Sequence, residues 1–250
     1  MLHLKDTQAQ IWFLLPAYNE EAGIRDQIAR IDRKAADYCW AHHVVVVDDG
    51  SSDNTSSVVS ACAPERAHAV IRHDRNRGPG AAFDTGFRHI VERGRANDVV
   101  ITMDADCTQD LSAVSDMIGM LEGGVDVVLG SVYVPGGRFE GIPFFRLLLT
   151  TGCNLLYRLI FHVHGVMEYT AFYRGHRLAS LAEYYRRSGG THALASGFVG
   201  MTEMLLRMRK LGFRFAEVPM VVRYHEKKGK SKMKVVRNIM SHLGNIWKNV

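Results

Sequence analysis

The stretch Val99-Val100-Ile101-Thr102-Met103-Asp104-Ala105-Asp106 carries an apolar, β-branched run directly into two aspartates one residue apart. The run reads as a buried strand. In an extended segment side chains alternate faces, so residues two apart point the same way. Paired carboxylates at a strand's end suit a hard divalent cation, because Mg²⁺ takes one or two carboxylates and leaves its other positions to water and phosphate oxygens. A metal-held diphosphate is the first hypothesis, and a polar strand end with two solvated acids is the alternative. The surroundings of the pair decide between them.

Working outward, the same grammar recurs. Ile11 to Leu15 reads as a strand, and Pro16-Ala17-Tyr18-Asn19-Glu20 turns from it into a helix running to about Tyr38, with Asn19 as the expected N-cap. Val44-Val45-Val46-Val47 suits a strand buried on both faces and ends at Asp48-Asp49-Gly50-Ser51. A helix follows from about Asn54, then a strand near Ala69 to Arg72, a glycine-bearing loop and a helix from Pro79 to Arg93. Beyond the acidic pair come a helix from about Asp110 to Leu121 and a strand at Val125 to Leu129. Alternating strands and helices predict an α/β sandwich with a mostly parallel sheet, whose ligands collect beyond the strands' C-terminal ends. Three polar clusters should therefore meet on one rim.

The 250 residues are 47% hydrophobic and 23% charged, as in a folded globular protein, which excludes a disordered chain. Four widely spaced cysteines form no zinc knuckle or redox pair, and the opening MLHLKDTQAQ does not resemble a signal peptide, so a reducing cytoplasm is expected. Arg146 and Arg158 interrupt the longest apolar stretch too closely to flank the roughly 20 residues of a spanning helix, and no transmembrane segment is expected. From Arg223 onward eight basic residues face one acid, a net of +7; the total of +5 leaves −2 for the rest. Such a tail points to an anionic surface or to a solvated helix face.

These motifs, in this order, resemble the family 2 glycosyltransferases of the GT-A fold, and within them the polyprenyl-phosphate (dolichyl-phosphate) mannosyltransferase branch. The resemblance covers nearly the whole chain and implies a GT-A fold, a Rossmann-like α/β/α sandwich, over residues 1–225, followed by a basic loop and C-terminal amphipathic helix over 226–250. It implies that Pro16, Ala17, Tyr18, Glu20, Asp48 and Asp49 shape the donor's nucleoside pocket, with Asp49 favoured for the base. Asn76 and Gly78, in Arg75-Asn76-Arg77-Gly78-Pro79-Gly80, match the family's Asn-x-Gly-x-Gly loop beside the nucleotide. Asp104, Ala105 and Asp106 match its metal motif, so Asp104 and Asp106 are expected to hold Mg²⁺ or Mn²⁺ against the donor diphosphate. Gln109 is a candidate for orienting that site or, with Asp110, for capping the next helix. Glu203 lies where family members place an acceptor-side acid, acting as a base for a hydroxyl acceptor or as a positioning group for a lipid phosphate, which needs no base.

On the acceptor side the chain departs from the branch. Its Gly-Ser-Arg-Tyr segment is Gly130-Ser131-Val132-Tyr133 here, leaving Arg138 and Arg146 to take the phosphate. Glu168-Tyr169-Thr170-Ala171-Phe172-Tyr173-Arg174 resembles Asp-x-Thr-Ser-Gly-Phe-Arg, and Arg174 is expected at the acceptor. Ser231 and Lys232 fall in the Gly-x-Ser-Lys segment, with Glu226 where an arginine often stands. The leucine-rich stretch from Phe144 to Phe161 suits a core helix, an acceptor helix on the bilayer surface, or one helix doing both on different faces. Met233, Val236, Ile239, Met240, Leu243 and Trp247 recur at helical spacing as a stripe for anionic lipid or for the protein itself. The implied partners are a nucleotide-sugar donor, a polyprenyl phosphate acceptor and the cytoplasmic face of a membrane, with room for a membrane-anchored partner and none implied for nucleic acid. A saccharide hydroxyl acceptor, or a non-catalytic nucleic-acid or membrane-binding module, are the rival readings.

Overall fold

A computed structural model describes residues 9–62, 68–189, 197–228 and 235–249. The chain opens as β1 (Ile11–Ala17), α1 (Ile24–Asp37), β2 (His42–Asp48), α2 (Thr55–Cys62), β3 (His68–Arg72), α3 (Pro79–Arg93), β4 (Val99–Thr102), α4 (Ala113–Glu122) and β5 (Val127–Ser131). It continues as β6 (Arg138–Glu140), α5 (Phe144–Phe161), β7 (Arg174–Arg177), α6 (Leu178–Arg187), α7 (Gly200–Lys210), β8 (Phe215–Pro219), β9 (Val221–Arg223), a 3-10 turn (Tyr224–Glu226) and α8 (Val235–Asn249). The main sheet has the order β3-β2-β1-β4-β7-β5-β8, and β6 pairs with β9 in a small parallel ribbon. Every pairing in the main sheet is parallel except those of β7, which runs antiparallel to both β4 and β5. The mostly parallel sheet expected from the sequence is thus present, with β7 as an insertion that the alternation did not announce.

The strands separate two cores. On β1, Ile11, Phe13 and Leu15 face Ile24, Ile28 and Ile31 of α1, whereas Trp12 and Leu14 face Phe83, Phe87 and Ile90 of α3. Val44 and Val46 share the first core and Val45 and Val47 the second, which is why the four-valine run has no polar alternation. Gly86 lets α3 approach β1: a Cβ there would stand 2.1 Å from Leu14 Cδ1.

Two expected helix starts move. Asn19 does not cap α1, which begins at Ile24 behind Gly23. Instead Asn19 takes φ +54°, a conformation asparagine tolerates, and its side-chain oxygen accepts the Ser52 amide at 2.8 Å. The pull of Asn19 toward the β2 loop delays the helix. Similarly α4 begins at Ala113 rather than near Asp110, because Asp110 accepts the Ser112 amide and pairs with Arg223.

Arg146 and Arg158 do not break the apolar stretch. Both lie on α5, one continuous helix of 18 residues, long and apolar enough to cross a membrane by length and composition alone. One stripe, Asn154, Tyr157 and Phe161, is buried on the protein, whereas Phe144, Phe145, Leu148, Leu155 and Leu159 are exposed. On α8 the usual sidedness is inverted: His242, Asn245 and Ile246 are buried, and Ile239, Met240, Leu243 and Trp247 face outward. These four members of the predicted stripe therefore do not pack on the protein; Met233 and the Val236 side chain lie outside the described residues.

Candidate active site

The C-terminal ends of β1, β2 and β4 deliver the three polar clusters to one rim, as parallel pairing in register requires. Asp104 and Asp106 follow β4. Gln109 grips Asp104 twice, donating from Nε2 to Oδ2 at 2.7 Å and accepting the Asp104 amide at 2.9 Å. Gln109 thus orients the site and is not a helix cap. Asp106 Oδ1 accepts the Thr108 hydroxyl at 2.7 Å and its amide at 3.2 Å, and Asp106 Oδ2 faces the Lys227 ammonium in a close ion pair. Burial pushes the Asp104 carboxyl up, the Asp106 charge pushes it further, and Lys227 pulls it back. Glu20 adds negative potential and Arg146 positive potential at the same carboxyl.

This donor set fits a hard divalent cation. Its oxygens are all carboxylate, held by neighbouring side chains, and Asp106 Oδ2 already faces a cationic group. Among the described residues no group of three or more His, Cys, Asp or Glu is placed to enclose a metal ion. An open two-carboxylate site is what a cation completed by water and phosphate oxygens needs.

The donor-side carboxylates behave differently from expectation. Asp48 is fully buried, accepting the Ser51 amide at 2.8 Å and the Ser56 hydroxyl. Asp49 accepts from His73 Nδ1 at 2.7 Å, the Arg77 amide at 2.9 Å and the Gly78 amide at 2.7 Å. These bonds hold the 75–78 loop against the end of β2 and leave one acceptor position open on Asp49 Oδ2. Gly50, at φ +72°, permits the approach: a Cβ there would stand 2.7 Å from Arg75 Cα. Pro16, Tyr18 and Glu20 are half-buried on the rim, Ala17 is buried beneath them, and Asn76 is exposed at the loop tip beside Gly78.

The acceptor-side expectations also divide. Arg174 is 1% exposed, and its guanidinium donates to the carbonyls of Ala171 (2.9 Å), Met201 (2.6 Å) and Tyr169 (2.9 Å). It fastens β7 to α7, with its guanidinium turned to these carbonyls inside the protein. Glu168, also buried, accepts the Thr170 hydroxyl and the Thr170 and Ala171 amides, shaping its own loop. Val132 packs in the core. Arg138 is exposed and paired with Glu140, whereas Arg146 lies over the Tyr224 ring and donates to its hydroxyl at 3.1 Å. Glu203 is buried at the start of α7, where Arg207 (2.6 Å) and Lys248 of α8 (2.9 Å) both meet its Oε1. The hydrogen bonds and charges of these two cations overcome burial and hold its pKa below the usual carboxylate range. A carboxylate so stabilised is a poor base, and its place is that of an anchor for α8. Ser231 and Lys232 lie outside the described residues. His73 and Arg30 were missed in the sequence; Lys227 stands among the lysines of the basic loop, which spacing cannot rank.

The model of glycosyl transferase family 2 matches residues 12–174, which span β1 through the start of β7 and every rim motif. The chain belongs to glycosyltransferase family 2. This glycosyltransferase is 31% identical over 223 residues to a polyprenol monophosphomannose synthase of Mycolicibacterium smegmatis, covering 88% of its own length and 79% of the relative's. It is 30% identical over 222 residues to an undecaprenyl-phosphate mannosyltransferase of Micrococcus luteus, covering 88% and 86%. Among solved structures, glucosyl-3-phosphoglycerate synthase of Mycobacterium tuberculosis, in a complex with Mn²⁺, UDP-glucose and phosphoglyceric acid, matches with a TM-score of 0.67 at 19% identity, covering 96% of this chain and 81% of that one. That likeness establishes the GT-A-like fold of the glycosyltransferase.

Proposed function

We propose that this glycosyltransferase is metal-dependent and inverting, and moves one sugar from a nucleotide donor to a polyprenyl phosphate at the cytoplasmic face of a membrane, with GDP-mannose as the first donor to try. The observation that carries the reading is the outward apolar surface of α5, continued by that of α8 packed against it, with the first turn of α5 at the carboxylate rim. Arg146, in the first turn of α5, rests on Tyr224, and the turn that begins there leads to Lys227 on Asp106. A lipid acceptor bound along α5 would thus present its phosphate near the donor diphosphate. The names of the two relatives support the same acceptor class. The helix sidedness supports a peripheral placement, apolar side chains in the lipid and Arg146 at the headgroups.

A divalent cation held by Asp104 and Asp106 would neutralise charge on the departing nucleoside diphosphate. Gln109 and Thr108 fix the two carboxylates for that task, and Asp49 holds the loop that flanks the nucleotide. An acceptor phosphate oxygen attacks the anomeric carbon as the bond from that carbon to the diphosphate oxygen breaks, and the electron pair leaves with the nucleoside diphosphate. The acceptor is already anionic and gives up no proton, in keeping with a Glu203 held ionised by two cations. A saccharide hydroxyl would need a base that Glu203 does not supply.

The test is a donor panel of GDP-mannose, UDP-glucose and a UDP-hexosamine with Mg²⁺ or Mn²⁺ and a short polyprenyl phosphate, scored for nucleotide release and lipid-linked sugar together. Matched release and lipid product is expected with one donor. Release without lipid product contradicts the acceptor assignment.

A further inference from the structure

Lys227 does not reach the acidic pair as a stray surface side chain. The backbone around it is clamped to the β4–α4 loop from both sides. Arg223 donates its amide to the Thr108 carbonyl at 2.8 Å and pairs with Asp110 at 2.7 Å. Arg30 of α1 donates to the Cys107 carbonyl at 2.7 Å and to Glu226 at 3.2 Å. Lys228 places its ammonium on Asp26 of α1, and its side chain lies over Gly23. Between these clamps the Lys227 ammonium, only 17% exposed in its side chain, meets Asp106 Oδ2. Glu20 and Asp104 add to the negative potential there and raise its pKa further.

Two carboxylates and a nearby glutamate confined to one rim repel one another, and an ammonium among them offsets that repulsion. A divalent cation requires the same carboxylate oxygens. It must break a charge-assisted hydrogen bond to enter and leave the ammonium without its partner. The donor's diphosphate removes that penalty by bringing new anionic oxygens for the ammonium.

We propose that Lys227 is the resident counter-ion of the cation site, competing with the divalent cation for Asp106, so that cation and nucleoside diphosphate load together. This rests on the cation-site reading above. It assigns Glu226, the departure from the branch's arginine, a role in seating the lysine through Arg30.

The experiment is Mn²⁺ binding to the whole protein, followed by the loss of the free-ion paramagnetic resonance signal, with and without GDP or UDP. Wild type is expected to bind Mn²⁺ weakly alone and more tightly with nucleotide. Lys227→Met should bind Mn²⁺ alone about tenfold more tightly, the order set by loss of one competing charge-assisted bond, and gain less from nucleotide. Lys227→Arg should stay near wild type. Thermal melts confirm that each variant folds, and Lys227→Gln serves in place of the methionine variant if that one does not. Unchanged or weaker Mn²⁺ binding in folded Lys227→Met, beside wild-type binding that Asp106→Asn abolishes, overturns the proposal and leaves the cation site standing. If neither wild type nor Lys227→Met binds Mn²⁺, with or without nucleotide, both fall.

Discussion

Tyr157 of α5 and His242 of α8 meet inside the protein, the phenol hydroxyl 3.1 Å from His242 Nδ1, while both helices turn apolar faces outward. Asn245 donates to the same hydroxyl at 3.0 Å, so the seam between these helices is polar and the outer surface is not. A helix that buries its imidazole and amide and exposes Trp247 at 89% is what the proposed placement on a lipid surface calls for. Trp247→Ala combined with Met240→Ala should lower binding to anionic lipid vesicles several-fold in a flotation assay while leaving the melting temperature unchanged. Tyr157→Phe should do the reverse, costing about 1–2 kcal/mol of stability through unpaired seam groups.

Arg174 separates a structural cation from an acceptor ligand. Burial lowers its pKa to about 10, so it stays charged at neutral pH, and it pairs three backbone carbonyls. Arg174→Met should destabilise the fold by about 3 kcal/mol, measured by urea unfolding, because those carbonyls lose their donors. A rise in acceptor KM at unchanged stability would instead return Arg174 to the phosphate.

His176, on β7, is buried edge-on against Phe87, with no hydrogen-bond partner for either ring nitrogen among the described residues. Burial depresses its pKa from 6.5 to about 3, so between those values the unfolded chain holds more protons than the folded one. Its contribution to stability is therefore present above pH 6.5 and lost as pH falls toward 3. His242 acts in the same direction, its pKa lowered to about 4. His176→Leu should be neutral or stabilising by about 1 kcal/mol at pH 7, and should flatten the decline in urea midpoint between pH 8 and pH 5.

Asp104 trades stability for chemistry. Its carboxyl is pushed up to about 7, so between pH 3.8 and 7 the folded state holds the extra proton and stability declines as pH rises. Above pH 7 the full cost of the buried charge is present. Asp104→Asn in the metal-free protein at pH 8 should raise the melting temperature, and should abolish divalent-dependent transfer by about a hundredfold or more.

Apolar runs ending in polar clusters made β1 to β5 and the rim legible in the sequence, because strands buried on both faces have a compositional signature. Arg174-Gly175-His176-Arg177 has none. It is a mostly buried strand in which Arg174 bonds to backbone carbonyls and the His176 ring nitrogens meet no partner among the described residues, so periodicity passes over it. The acidic pair was legible as a candidate site, but the partners of Asp49 and Glu203 were not. A carboxylate's sequence neighbours do not reveal that His73 or Lys248, 24 and 45 residues away, already engages it. The helical stripe on α8 was visible; that its polar side faces inward depended on Tyr157, 85 residues before His242.

The acceptor claim meets its most direct test in one measurement: transfer of labelled sugar, from whichever donor supports nucleotide release with Mn²⁺, to a short polyprenyl phosphate, to the same polyprenol without its phosphate, and to a saccharide. Label is expected in the lipid phosphate alone, as an acid-labile sugar monophosphate. Label in the saccharide with none in the lipid phosphate would contradict it.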